Sequence, residues 1–97
     1  MTPYQQALAV LQKAYDAADP GARRLCADKI DQAAASGDMD LINKLAAALP
    51  SLGALAAAYD AAPETTREAF AEELDDARIS LNVAAIDALA AMLKATP

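Results

Sequence analysis

Displaced by 44 residues, the chain overlays on itself, and this self-similarity limits its possible folds more than any other feature. Leu8, Leu11, Ala14 and the run Tyr15-Asp16-Ala17-Ala18 fall on Leu52, Leu55, Ala58 and Tyr59-Asp60-Ala61-Ala62. Farther along, Arg23, Asp31, Ser36, Ile42, Leu45 and Leu49 fall on Arg67, Asp75, Ser80, Ile86, Leu89 and Leu93. Alanine-rich helices match one another by accident, so the tyrosine, arginine, aspartate and serine matches carry the weight. A period of this length marks a supersecondary unit that buries its apolar face against its own copy.

Each copy reads as three helices. Thr2-Pro3-Tyr4-Gln5 is a helix start, with a Thr cap, Pro at the first helical position and Gln placed to close a capping box. Tyr4, Leu8, Leu11, Tyr15 and Ala18 then share one helical face. Asp19-Pro20-Gly21 ends that helix and opens a second, carrying Leu25, Cys26, Ile30 and Ala33 and closed by Ser36-Gly37. Asp38 caps a third, with Met39, Ile42, Leu45 and Leu49, which Pro50 is expected to end. Ser51 is expected to cap a fourth, with Leu52, Leu55, Tyr59 and Ala62. Pro63 and Glu64 open a fifth, with Phe70, Leu74 and Ala77 inward, and Ser80 or Asn82 caps a sixth around Val83, Ile86, Leu89, Ala90 and Leu93. Nothing alternates with period two, so strands are not expected. The expectation is an all-α domain over residues 1–97, with six short helices in two tandem three-helix repeats (1–50 and 51–97) packed as one compact bundle.

Alanine supplies 28 of the 97 residues, against 26 larger hydrophobes, which favours helices whose axes approach closely. The net charge of −6 is uneven. Residues 1–50 hold five basic and six acidic groups, whereas residues 51–97 hold three and eight. Phosphate contact needs clustered Lys and Arg, so nucleic acid is not an expected partner. The same imbalance argues against adhesion to anionic membranes. No basic leader precedes an apolar stretch, and no uninterrupted apolar run approaches the roughly 20 residues of a membrane span. One cysteine, Cys26, excludes an intrachain disulfide and fits a reducing compartment. The expected setting is the cytoplasm.

Histidine is absent, which excludes Cys-His pairs, Ser-His-Asp triads and histidine-ligated metal or haem. Each of the three glycines is isolated, so no phosphate-cradling loop is present. The chain is therefore read as non-catalytic, with no cofactor and no metal. The acids Glu64, Glu68, Glu72 and Asp75 or Asp76 line one helical stripe, suited to solvent or to a basic partner. Lys29 and Glu73 occupy equivalent positions and could meet between copies. Cys26 reads as a small core hydrophobe.

The copies have diverged unequally. The segment from Ser51 to Ala62 has one charged residue, Asp60, and the last helix is apolar nearly all round. Such helices are buried centrally or covered by a partner. The favoured reading is an interaction or scaffold protein that meets a protein partner, or a second copy of itself, through Leu52, Leu55, Ala56 and Tyr59. The alternative is a small-molecule-binding bundle with an apolar pocket between the copies, lined by Leu11, Tyr15, Leu55, Tyr59 and Phe70.

Dense punctuation (Thr2-Pro3, Asp19-Pro20, Ser36-Gly37-Asp38, Pro50-Ser51), short connections and a duplicated unit together resemble computationally designed α-helical bundles and tandem helical-repeat proteins. The likeness extends over the whole chain. It implies a helical bundle and a binding role, and it carries no functional residues.

Overall fold

The computed structural model describes residues 2–95, and within them the chain is all-helical. Five helices follow in order: α1 (Pro3–Ala17), α2 (Pro20–Ser36), α3 (Met39–Ala61), α4 (Glu64–Ser80) and α5 (Val83–Ala95).

The expected count of six is therefore corrected to five, because the third and fourth predicted helices are one. Pro50 lies inside α3, and Ser51 is a mid-helix residue rather than a cap. A helix-interior proline removes one hydrogen bond and crowds the preceding turn, at a cost of about 3 kcal/mol. Here the Ala46 carbonyl loses the N–H that would have reached it. Opposing that cost are Leu45, Leu49, Leu52 and Leu55, each at most 2% exposed. Burying one leucine contributes about 1.5–3 kcal/mol. A loop at Pro50 would pull Leu49 and Leu52 out of register and leave their backbone groups unpaired inside the core. Burial wins, and the proline is accommodated on the exposed side of the helix.

Elsewhere the punctuation acts as its chemistry dictates. Thr2 and Gln5 form the complete capping box of α1. Asp38 Oδ1 accepts from the Asp40 and Leu41 amides at the start of α3. Asp19 occupies the N-cap of α2 but makes no side-chain capping bond. Gly37 closes α2 at φ 72°, the left-handed conformation that favours glycine. At the α4–α5 corner the same conformation is taken by Leu81, φ 53°, whose side chain is buried and holds the turn against the core.

α3 is the axis of the molecule, and α1, α2 and α5 pack along it while α4 packs mainly on α5. α1 and α2 are antiparallel, so that the Tyr4 hydroxyl donates to the Ala34 carbonyl at 2.7 Å. The start of α2 crosses the second half of α3 at close range. A Cβ placed on Gly21 would lie 2.7 Å from Ala56 Cβ, which makes this approach available only to glycine. The molecule is drawn out along its axis, 49 × 21 × 19 Å, because a 23-residue helix alone is about 34 Å long.

The fusion also alters the hydropathy reading. α3 is long and apolar enough to cross a membrane by length and composition alone, which neither half suggests separately. It is also the helix on which the others pack, the position of a core helix.

Candidate functional site

Leu52, Leu55 and Ala56 are each at most 1% exposed, closed over by this chain's own helices. They cannot present a docking surface, because α2 and α5 already occupy the faces of α3 that carry them. Tyr59 is half-buried and donates its hydroxyl to the Arg67 carbonyl at 3.1 Å, tying the end of α3 to the start of α4. The expected ligand pocket is likewise not assembled. Leu11 and Leu55 are core residues, Tyr15, Tyr59 and Phe70 pack on its edge, and none of the five lines the three principal surface grooves.

Of the two segments that lacked a polar face, the first buries Leu52, Gly53, Leu55, Ala56 and Ala58 and leaves Ala54, Ala57 and Ala61 exposed. The second, α5, is only half covered. Ile86, Leu89, Ala90 and Leu93 face α3, while Val83, Ala84, Ala85, Ala88, Ala91 and Met92 remain exposed. The open side is mostly alanine and also carries Asp87 and Lys94.

The exposed face of α5 and the adjoining face of α4 form an open groove of about 470 Å³. Ala77, Ala85, Ala88, Leu89 and Met92 make its apolar surface, and Glu73, Asp76 and Ser80 stand among them on the α4 side. Met92 is 48% exposed, Val83 38% and Ile79, at the end of α4, 50%. Three of the five exposed large hydrophobics of the described residues belong to this hairpin, and of these Met92 lines the groove; the others are Val10 and Met39. The signal in the sequence was the second half of the repeat with its excess of apolar and acidic residues. What it could not assign was which of the two apolar helices the fold leaves open.

Two further grooves lie elsewhere. One, beside Pro50, is lined by Ala14, Ala17, Ala18, Asp19, Ala46, Leu49 and Gly53; the other, of about 520 Å³, lies between the ends of α3 and α5, lined by Ala57, Ala58, Ala61, Ala62, Pro63, Leu93 and Lys94. Leu49 and Leu93 are each 2% exposed, so neither groove presents an exposed large hydrophobic such as Met92.

The ionic groups serve structure. Arg78 is the main one, with Nε on Asp75 at 3.1 Å, and Nη1 on Asp28 at 3.2 Å and on the Leu25 carbonyl at 3.4 Å. It thereby joins α4 to α2. Partial desolvation pushes the Asp28 carboxyl up, but the Arg78 hydrogen bond and charge, with nearby backbone N–H groups, hold it below its ordinary value. The Asp75 hydrogen bond, opposed by desolvation and aided by Asp28, raises Arg78. Arg24 pairs with Asp60 at 3.1 Å across α2 and α3. Lys29 and Glu73 do not meet: Lys29 donates to Gln32, and Glu73 stands in the α4–α5 groove. Glu64, Glu68, Glu72, Asp75 and Asp76 are all exposed, with Asp75 engaged by Arg78.

Cys26 is fully buried, and burial, reinforced by the Asp28 charge, pushes its thiol above the ordinary range, so it is a poor nucleophile. Among the described residues no cluster of three His, Cys, Asp or Glu side chains could hold a metal ion.

No protein-family model matches this chain, and no curated protein or solved structure is significantly similar to it.

Proposed function

We propose that this is a non-catalytic helical interaction protein, built from a 44-residue unit used twice with α3 spanning both copies, whose working surface is the α4–α5 groove. The observation that carries the reading is the one-sided packing of α5, which leaves Ala85, Ala88 and Met92 exposed beside the acids Glu73 and Asp76. The fitting occupant is an amphipathic helix with a small apolar face flanked by Lys or Arg, laid along α5. Helix-in-groove recognition uses apolar anchors at helical spacing, and charge complementarity at the rim sets orientation and partner choice. Ala85 to Met92 spans about 10 Å of helix, room for two anchors.

Support for the repeated unit comes from local geometry that recurs 44 residues on. Ser36 and Ser80 hydroxyls donate to the Ala33 and Ala77 carbonyls and accept from the Asp38 and Asn82 amides. The Ala18 and Ala62 amides close their helices on the Tyr15 and Tyr59 carbonyls. Gly37 and Leu81 share the left-handed turn.

The test is titration of isotope-labelled protein with a synthetic Lys/Leu/Ala amphipathic helix. Amide shifts confined to residues 73–92 and abolished by Ala88→Glu are expected. Binding unaffected by that change, or shifts centred on α1 or α2, would refute the reading.

A further inference from the structure

Two of the surface grooves stand 44 residues apart and share their alanine walls, but their polar rims are opposite in charge. Ala14, Ala17, Ala18 and Leu49 line the first, and Ala58, Ala61, Ala62 and Leu93 line the second. Two further positions differ in chemistry. Asp19 of the first groove corresponds to Pro63 of the second, and Pro50 corresponds to Lys94. Among its lining residues the first groove, of about 320 Å³, therefore has a carboxylate and no cation. The second has an ammonium and no carboxylate.

Three sources of negative charge converge on the first groove. Asp19 stands at the N-cap of α2 without a capping bond, and among the described residues its side chain has no hydrogen bond or ion pair. Its Oδ2 lies 3.4 Å from the place a Cβ on Gly53 would take, so the carboxylate is laid over α3 inside the groove. Ala46, also in the lining, has a carbonyl with no helix N–H to meet it, because residue 50 is proline. Ala14 and Ala17 belong to the last turn of α1, which holds no basic residue. The final carbonyls of a helix carry partial negative charge and favour a cation. At the second groove the end of α3 likewise has no basic residue of its own, but Lys94 supplies one from α5. Residue 94 also keeps an N–H for the Ala90 carbonyl.

We infer that the groove beside Pro50 binds a small primary alkylammonium ion. The ammonium pairs with Asp19, a charge-assisted hydrogen bond, with the Ala46 carbonyl as a neighbouring acceptor. The alkyl chain lies on Ala14, Ala17, Ala18 and Leu49. Lys94 is itself an alkylammonium, so the second groove contains in its own side chain the group that the first one lacks. An anion would meet a carboxylate and carbonyls, and a neutral alkyl group would make no use of either. Asp19 and Pro50 are exposed, so binding is weak and falls as salt is added. Neither groove shares a lining residue with the α4–α5 groove, which is therefore tested separately.

The test is titration of isotope-labelled, full-length protein with n-butylammonium chloride at constant ionic strength, with n-butanol as the uncharged control. Saturable amide shifts confined to residues 14–19 and 46–53 are expected, with a dissociation constant of about 1–10 mM, and none from n-butanol. Asp19→Asn keeps a good N-cap residue and should weaken binding about tenfold. Pro50→Lys returns an N–H to the Ala46 carbonyl, places an ammonium where Lys94 stands in the second groove, and should abolish binding. Circular dichroism establishes that both variants are folded. The assignment is overturned by the absence of saturable shifts in the unmodified protein, by equal shifts from n-butanol, or by shifts centred on residues 57–63. Unchanged affinity in folded Asp19→Asn or Pro50→Lys overturns it as well.

Discussion

At Gly21 the packing of α2 on α3 depends on one missing methyl group. Gly21→Ala adds helix propensity but places a Cβ 2.7 Å from Ala56 Cβ, and neither atom sits on a flexible arm. The helices must separate, so a net loss of about 1–3 kcal/mol in urea denaturation is expected. An unchanged midpoint would mean that the crossing is looser than described. Arg78 is the corresponding polar element. Its side chain is 24% exposed and ties Asp28, Asp75 and the Leu25 carbonyl together. Arg78→Leu should cost about 1 kcal/mol at neutral pH. Because Asp28 is held below its ordinary value, its contribution is complete above the unfolded-state value, about 3.9, and is lost as pH falls through the lower folded value. Acid titration of stability should therefore be shallower in Arg78→Leu than in the unmodified protein. Identical acid limbs would place the Asp28 shift elsewhere. Neither residue's role was legible in the sequence: Gly21 read as part of a turn, and the partners of Arg78 stand 50 positions away in Asp28 and three away in Asp75.

At the scale of elements, most of the helices could be read from their caps, because Thr2, Gly37 and Asp38 act locally and need no tertiary context. Pro50 was misread for a tertiary reason. Ile42, Leu45, Leu49, Leu52, Ala56 and Tyr59 continue at alternating spacings of three and four straight through the proline, and that unbroken phase was the available signal. A local breaker does not outweigh the five buried positions, with Tyr59 at their edge, that it would have disrupted. Pro50→Ala restores a donor to the Ala46 carbonyl in an exposed position. It should raise stability by about 1–3 kcal/mol, less some loss from a freer unfolded chain. Destabilisation would indicate that residue 50 ends a helix after all.

On the scale of the whole molecule, the two apolar helices of the second half have different fates. The segment after Pro50 buries its leucines and leaves only alanines and Asp60 exposed, whereas α5 leaves Val83 and Met92 exposed. Sequence could identify both as unusual, but burial of one and exposure of the other follows from α2 and α5 packing on α3 while α5's far side meets only α4. That division moves the candidate surface from Leu52, Leu55 and Ala56 to the groove bearing Ala85, Ala88 and Met92. Hydrogen exchange on the dilute, partner-free protein tests it most directly. The amides of Leu49, Leu52, Gly53, Leu55 and Ala56 should form one continuous block exchanging only on global unfolding, while those of Ala84, Ala85 and Ala88 exchange faster through local opening. Fast exchange at residues 51–53, or protection of the central block that appears only as concentration rises, would contradict a central helix closed by its own chain.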